Sequence, residues 1–174
     1  MTRKALLVGI NDYAPVGSGG SDLHSCVNDV RDMANTLSVL NIVPATSSAM
    51  RIITDARATR ATIIDGLNWL IVGAKKDDVL FFFYSGHGSQ VVDVSKDELG
   101  KKDETICPYD YSTTGMIKDT YYRSLLVNQP AGVDMDVILD SGHSGTGRRG
   151  YLLRTGALLP TILSFRQGGM RISK

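Results

Sequence analysis

The sequence predicts an α/β fold, a mostly parallel sheet with helices on both faces. Short apolar runs alternate with amphipathic segments over most of the chain, the order expected of parallel strands joined by crossover helices. The apolar runs are continuous rather than alternating, as strands covered on both faces require. Two of the runs stop in small polar stretches that both contain Ser-Gly-His, and open α/β sheets build their sites at the carboxyl ends of strands.

In chain order, the first strand is the run over residues 5–10 of KALLVGINDY, ended by Asn11-Asp12. Gly17, Ser18, Gly19 and Gly20 form a loop. Leu23, Val27, Val30, Ala34 and Leu37 then recur at helical spacing, with Ser21 or Asp22 as N-cap. Residues 50–54 form the second strand. Ile63, Ile64, Leu67, Leu70 and Ile71 predict a second helix starting near Thr59. The third strand covers residues 79–84 and the fourth residues 136–139. Between them, VVDVSKDELGKKDE (residues 91–104) reads as a charged hairpin excursion, and a shorter helix follows Asp119 through Tyr121 and Tyr122 to Leu126. Beyond residue 150 the sequence predicts no regular element.

The 174 residues suffice for one domain with a substantial core, and 43% hydrophobic with 21% charged residues is ordinary for a soluble protein. A formal net charge of +1 gives no reason to expect nucleic acid or a membrane as partner. The first apolar run is too short for an export signal, and no run approaches the ~20 residues of a membrane span. Cys26 and Cys107 do not suggest a disulfide framework. The expected location is cytoplasmic.

The chemistry concentrates at the ends of the third and fourth strands. One continues into Ser85-Gly86-His87-Gly88-Ser89, the other into Asp140-Ser141-Gly142-His143-Ser144-Gly145. His87 can act as a general base, and a flanking backbone N–H, that of Gly88, can face an oxyanion. Small residues around His87 are expected to let a substrate backbone approach. On chemistry alone, His87 and His143 serve equally well as loop histidines with hydrogen-bonding roles. Ser144 does not read as a nucleophile elbow: Thr146 breaks the G-x-S-x-G pattern, and no histidine follows His143. His87, Asp140 and His143 have the donor types of a metal site but no diagnostic spacing.

FFFYSGHGSQ followed by VILDSGHSGTG resembles the metacaspases and their bacterial relatives, the orthocaspases, among the caspase-like cysteine peptidases. KALLVGINDY, LHSCVNDV and DETICPYDY resemble further family segments in the family's order, so the likeness covers residues 4 to about 147. The resemblance implies a caspase-like fold with His87 as catalytic histidine. In the family the second motif reads Asp-Ser-Cys-His-Ser-Gly, so Gly142 stands where the nucleophilic cysteine is expected. The separation of 55 residues from His87 to position 142 is close to the ~50 of caspases. Glycine cannot attack a carbonyl, so the chain as it stands is expected to be inactive. Cys26, Asp29, Ser85, His87 and Asp140 all hold family-type residues. That retention favours deliberate removal of the nucleophile over natural loss; a naturally non-catalytic binding or scaffold module is the alternative.

The same resemblance implies cleavage of peptides or proteins after Arg or Lys, with Cys26, Asp29, Ser85 and Asp140 lining the pocket for the basic side chain. Many members need calcium, and Asp97, Glu98, Asp103 and Glu104 have the oxygen donors it prefers. Calcium-dependent members carry an aspartate seven positions after the nucleophile. Here that residue is Arg149, so no cofactor is expected to be required. The family sheet has six strands from a large and a small segment. Four are legible here, so residues 1–150 read as the large segment and 151–174 as a linker or processing region towards a missing small segment, leaving an open apolar sheet edge. With a cysteine at 142, self-cleavage is expected between Arg166 and Lys174, at Arg166, Arg171 or, most favoured, Lys174. Arg148 and Arg149 lie too close to the nucleophile loop to reach the cleft.

Overall fold

The structure, a computed structural model, describes residues 1–13, 22–92, 102–143, 146–155, 163–166 and 169–172, with side chains for 1–13, 22–89 and 105–141. Its elements run β1 (Arg3–Gly9), α1 (Cys26–Val39), β2 (Met50–Thr54), a 3-10 turn (Asp55–Arg57), α2 (Arg60–Ile71), β3 (Val79–Val92), β4 (Lys102–Ile106), α3 (Tyr111–Thr114), β5 (Ile117–Lys118), α4 (Asp119–Val127), β6 (Asp134–His143), β7 (Thr146–Thr155), β8 (Leu163–Arg166) and β9 (Gly169–Ile172). The central ladder is parallel. β1 pairs with β2 on one side and β3 on the other, and β3 pairs with β6. β4, β5 and β7 are antiparallel additions, and β8 and β9 form a separate hairpin.

Alternation along the strands divides the core in two. Ala5, Leu7, Phe81, Phe83 and Ile138 meet Val30, Met33 and Leu37 of α1 on one face. Leu6, Val8, Phe82, Tyr84, Val137 and Leu139 meet Ile63, Leu67 and Leu70 of α2 and Tyr122 and Leu126 of α4 on the other. Helices therefore cover both faces, which is why the strands carry continuous apolar text. α2 starts as expected, with the Thr59 side chain accepting from the Thr62 N–H.

Several expectations need correction. α1 begins at Cys26 after Ser25, without a side-chain cap; Asp22 accepts from the Tyr13 N–H instead, and Ser21 and the loop at Gly17–Gly20 lie outside the described residues. β3 runs on to Val92 and leaves the parallel ladder to pair with β4, which is the expected excursion in the form of a hairpin. The edge of β6 is not open, because β7 pairs along it from Met135↔Thr155 onward. β7 also crosses residue 150, where the large segment was expected to stop. Its text, TGRRGYLLRT, lacks both a continuous apolar run and a regular alternation, so periodicity passes over it.

At the amino ends of the strands, buried Asp78 ties β1 to β3. Its carboxylate accepts from the N–H groups of Thr2 and Lys75, with the chain's amino group 3.9 Å away. The Thr2 hydrogen bond, above all, holds the Asp78 carboxyl below the usual aspartate range, against the opposing effect of burial. A depressed native pKa stabilises the fold above the ordinary aspartate range, and that stabilisation is lost as pH falls through the native value. Asp78→Asn is expected to lower the urea midpoint at neutral pH. The gap to the parent chain should close as pH is lowered; a gap that stays constant into acid would contradict the assignment.

Candidate active site

Register places the two Ser-Gly-His stretches side by side. In the parallel pairing of β3 with β6, Ser85 lies opposite Asp140, Gly86 opposite Ser141 and His87 opposite Gly142. Neighbouring strands are about 4.8 Å apart and paired residues share a face. Phe81, Phe83 and Ile138 pack on the α1 face, so alternation puts Ser85, His87, Asp140 and position 142 on that face as well. On its other edge β6 shifts register against β7 between Ser141 and His143. Position 142 therefore lies opposite an irregularity in the pairing, where β7 carries the extra residue.

The start of α1 closes on the same row. Gly9 pairs with Ser85, and a Cβ on Gly9 would lie 2.7 Å from both the Cys26 carbonyl oxygen and Val30 Cγ2, so the helix seats here only against glycine. That seating brings Asp29 to the sheet, where Ser85 Oγ donates to Asp29 Oδ2 at 3.1 Å. Ser85 and Cys26 are buried, while Asp29 and Asp140 are half-buried. Two carboxylates thus flank one serine beside His87. Four of the residues singled out in sequence (Asp29, Ser85, His87 and Asp140) converge with position 142, and Cys26 is buried at the start of α1.

The backbone around His87 is held by groups that sequence reasoning missed. The His87 N–H donates to Tyr13 Oη at 2.6 Å. The Tyr13 and Tyr84 hydroxyls are 3.2 Å apart, and Tyr84 Oη lies 2.7 Å from the His87 carbonyl oxygen and 2.8 Å from that of Cys107. The Cys107 N–H also donates to the His87 carbonyl, at 3.0 Å. The Tyr13 ring lies 4.6 Å from the imidazole and meets the edge of Tyr111 at 5.9 Å. The only sequence signal was that KALLVGINDY and DETICPYDY both contain tyrosine after a strand-like run. The Ser85 carbonyl accepts from Ile10 and the His87 carbonyl from Cys107, both on the β1 side. Alternation turns the Gly88 peptide groups the other way, towards β6 and position 142.

The glycines beside His87 are also required by the protein's own interior. A Cβ on Gly86 would lie 2.5 Å from Tyr84 Oη and 2.7 Å from Tyr13 Oη, and one on Gly88 would lie 2.6 Å from Ser141 Cβ. They make room for the protein's own side chains. Cys107 is no substitute nucleophile, because burial pushes its thiol up to about 12. Both cysteines are buried, and no disulfide joins them.

None of the remaining sequence candidates has a described side chain. Asp97, Glu98, Ser144 and Lys174 lie outside the described residues. Asp103 and Glu104 sit in β4, opposite Val91 and Gln90, and His143 ends β6, in each case without a described side chain. Arg166 and Arg171 lie in β8 and β9, where an irregular stretch was expected. Among the described residues no group of three or more His, Cys, Asp or Glu side chains is placed to hold a metal ion, and no helix is long and apolar enough to cross a membrane.

Gly86→Ala is expected to cost about 1–3 kcal/mol, because the added methyl must displace two buried hydroxyls. Urea denaturation of the variant measures this cost; an unchanged midpoint would show that the tyrosine pair yields freely.

Residues 3–148 match the family model described as "Metacaspase, peptidase C14 domain". The chain is 40% identical to Metacaspase-1 of Pyricularia oryzae over 152 residues, covering 83% of this chain and 37% of that protein. It is 36% identical to Metacaspase-1 of Eremothecium gossypii over 151 residues, covering 83% and 32% respectively. The chain thus spans roughly a third of the length of these relatives. A crystal structure of a Geobacter sulfurreducens protein superposes with a TM-score of 0.67 at 35% identity, covering 84% of this chain and 52% of that one. With the family's sheet, its motif order and its sequence likeness all present, the chain belongs to the metacaspase family of peptidase C14 domains.

Proposed function

We propose that this domain is the catalytic large segment of a cysteine endopeptidase cleaving after Arg or Lys, inactive as it stands because Gly142 occupies the nucleophile position. The observation that carries this reading is the register pair His87↔Gly142, with Ser85↔Asp140 two residues earlier on the same face. A cysteine at 142 would attack the substrate carbonyl as thiolate. His87 would take the thiol proton and return it to the leaving amine. The Gly88 N–H is the proposed oxyanion donor. Without the sulfur, turnover should be lower by about 10⁶.

The basic residue before the cut would be held by Asp29 and Asp140, with Ser85 between them and Cys26 at the start of α1. Two carboxylates suit a guanidinium or ammonium through charge-assisted hydrogen bonds. The remaining sheet strands would come from a small segment. No cofactor is required in this scheme, and self-processing would fall between Arg166 and Lys174.

Gly142 itself supports a second reading, a non-catalytic module that binds basic peptides without cutting them. Gly142→Cys decides between the two. It is expected to give hydrolysis of arginyl and lysyl peptides when a family small segment is added, and His87→Ala in that background should abolish it. Binding without any hydrolysis would favour the module.

The pocket has its own test. In the Gly142→Cys background, Asp29→Ala or Asp140→Ala should lower kcat/KM for arginyl peptides about tenfold or more, since a bound cation loses a charged partner. Aspartyl peptides should remain poor substrates throughout. Undiminished arginyl cleavage in both variants would move the pocket elsewhere.

A further inference from the structure

We infer that Tyr13 is a positioning residue for His87, setting the backbone and ring position from which the imidazole works. This rests on the reading above that His87 is the general base. β1 pairs with β3 only as far as Gly9↔Ser85, two residues short of His87. The His87 N–H therefore points to the side that β1 has left and where β4 pairs only from Gly88 onward, and Tyr13 Oη takes the place of the missing ladder acceptor at 2.6 Å. The Tyr13 ring covers one side of the imidazole at 4.6 Å with a 40° tilt. One side chain thus holds both the main chain and the ring of the same residue.

The hydrogens around this contact balance. The His87 N–H donates to Tyr13 Oη, whose own hydrogen can go to Tyr84 Oη, and Tyr84 donates to the carbonyl of His87 or of Cys107. Burial raises both phenols above their ordinary range, so the circuit stays protonated at neutral pH. Phenylalanine would fill the same apolar space, so the hydroxyl answers only to His87 and Tyr84.

Tyr13 is itself held. The N–H groups of Asn11 and Asp12 donate to Asp55 Oδ1 at 2.8 and 3.2 Å, and the Tyr13 N–H donates to Asp22. Asn11 Oδ1 accepts from the Val27 N–H, and the Asn11 carbonyl from Leu23, which ties the loop to the start of α1. Asp55 adopts a left-handed φ of 46° at the end of β2 to make its contacts. The NDY of the first motif is thus a rigid arm from β1 and β2 to His87.

The test is nuclear magnetic resonance on the chain as it stands, which has three histidines, His24, His87 and His143. Tyr13→Phe keeps the ring and removes the acceptor. The His87 amide proton is expected to move upfield and exchange faster, and the His87 ring signals to shift, while those of His24 stay in place. In the Gly142→Cys background the same substitution should lower kcat on the order of tenfold with KM within about twofold. Unmoved His87 signals, or a KM effect with kcat intact, would overturn the inference. If Gly142→Cys yields no hydrolysis, the catalytic reading falls, and the resonance data alone still decide the Tyr13 contact. Should Tyr13→Phe fail to fold, Asp55→Ala loosens the same arm without touching either ring. It is expected to move the same His87 signals, and silence there also overturns the inference.

Discussion

Nine consecutive residue pairs, from Val79↔Asp134 to His87↔Gly142, join β3 to β6 without a slip, and the candidate site depends on that register. A slip of one residue would turn every β6 side chain to the opposite face. Val137 and Leu139 would then leave the core they share with α2, and Asp140 would leave the row of Ser85 for an apolar layer. The register is therefore set by burial along the whole strand. The position of a nucleophile relative to His87 follows from apolar residues far from any chemistry.

Catalytic geometry also needs the strand to be held where the ladder stops. Beyond Ser85, β3 has lost β1 and has only the β4 hairpin and the end of β6 for neighbours. There Tyr13 and Tyr84 supply what backbone pairing supplies elsewhere. The glycines at 86 and 88 are the counterpart of this arrangement, since bulkier residues would push out the hydroxyls and Ser141. SGHG is thus a steric pattern written by the protein's own interior, with the histidine as its one outward product.

The sheet was largely legible in the sequence because strands buried on both faces leave continuous apolar text, and the two Ser-Gly-His stretches marked their own carboxyl ends. α2 was legible down to its Thr59 cap, because capping is local. The α1 boundary was not, because Asp22 accepts from Tyr13, nine residues upstream, rather than from the helix. β7 was missed because its text has no apolar period and its pairing partner is another strand. Tyr13 and Tyr84 were missed because each reads as an ordinary core aromatic. Their roles exist only once 71 residues of separation have been folded away to bring the two hydroxyls together.

That hydroxyl pair bears on what the domain was shaped to do. A buried hydroxyl without a partner costs free energy, and even a satisfied one contributes little over a well-packed phenylalanine. A fold shaped for stability alone has no use for two phenols bracketing the peptide groups of one half-buried histidine. The circuit is useful where the orientation of that histidine matters, and its surroundings agree. Asp29, Ser85 and Asp140 hold polar groups beside it on one face. On the function proposed above, the presentation of His87 would be complete, and a thiol at position 142 is the one group that the site would still have to gain.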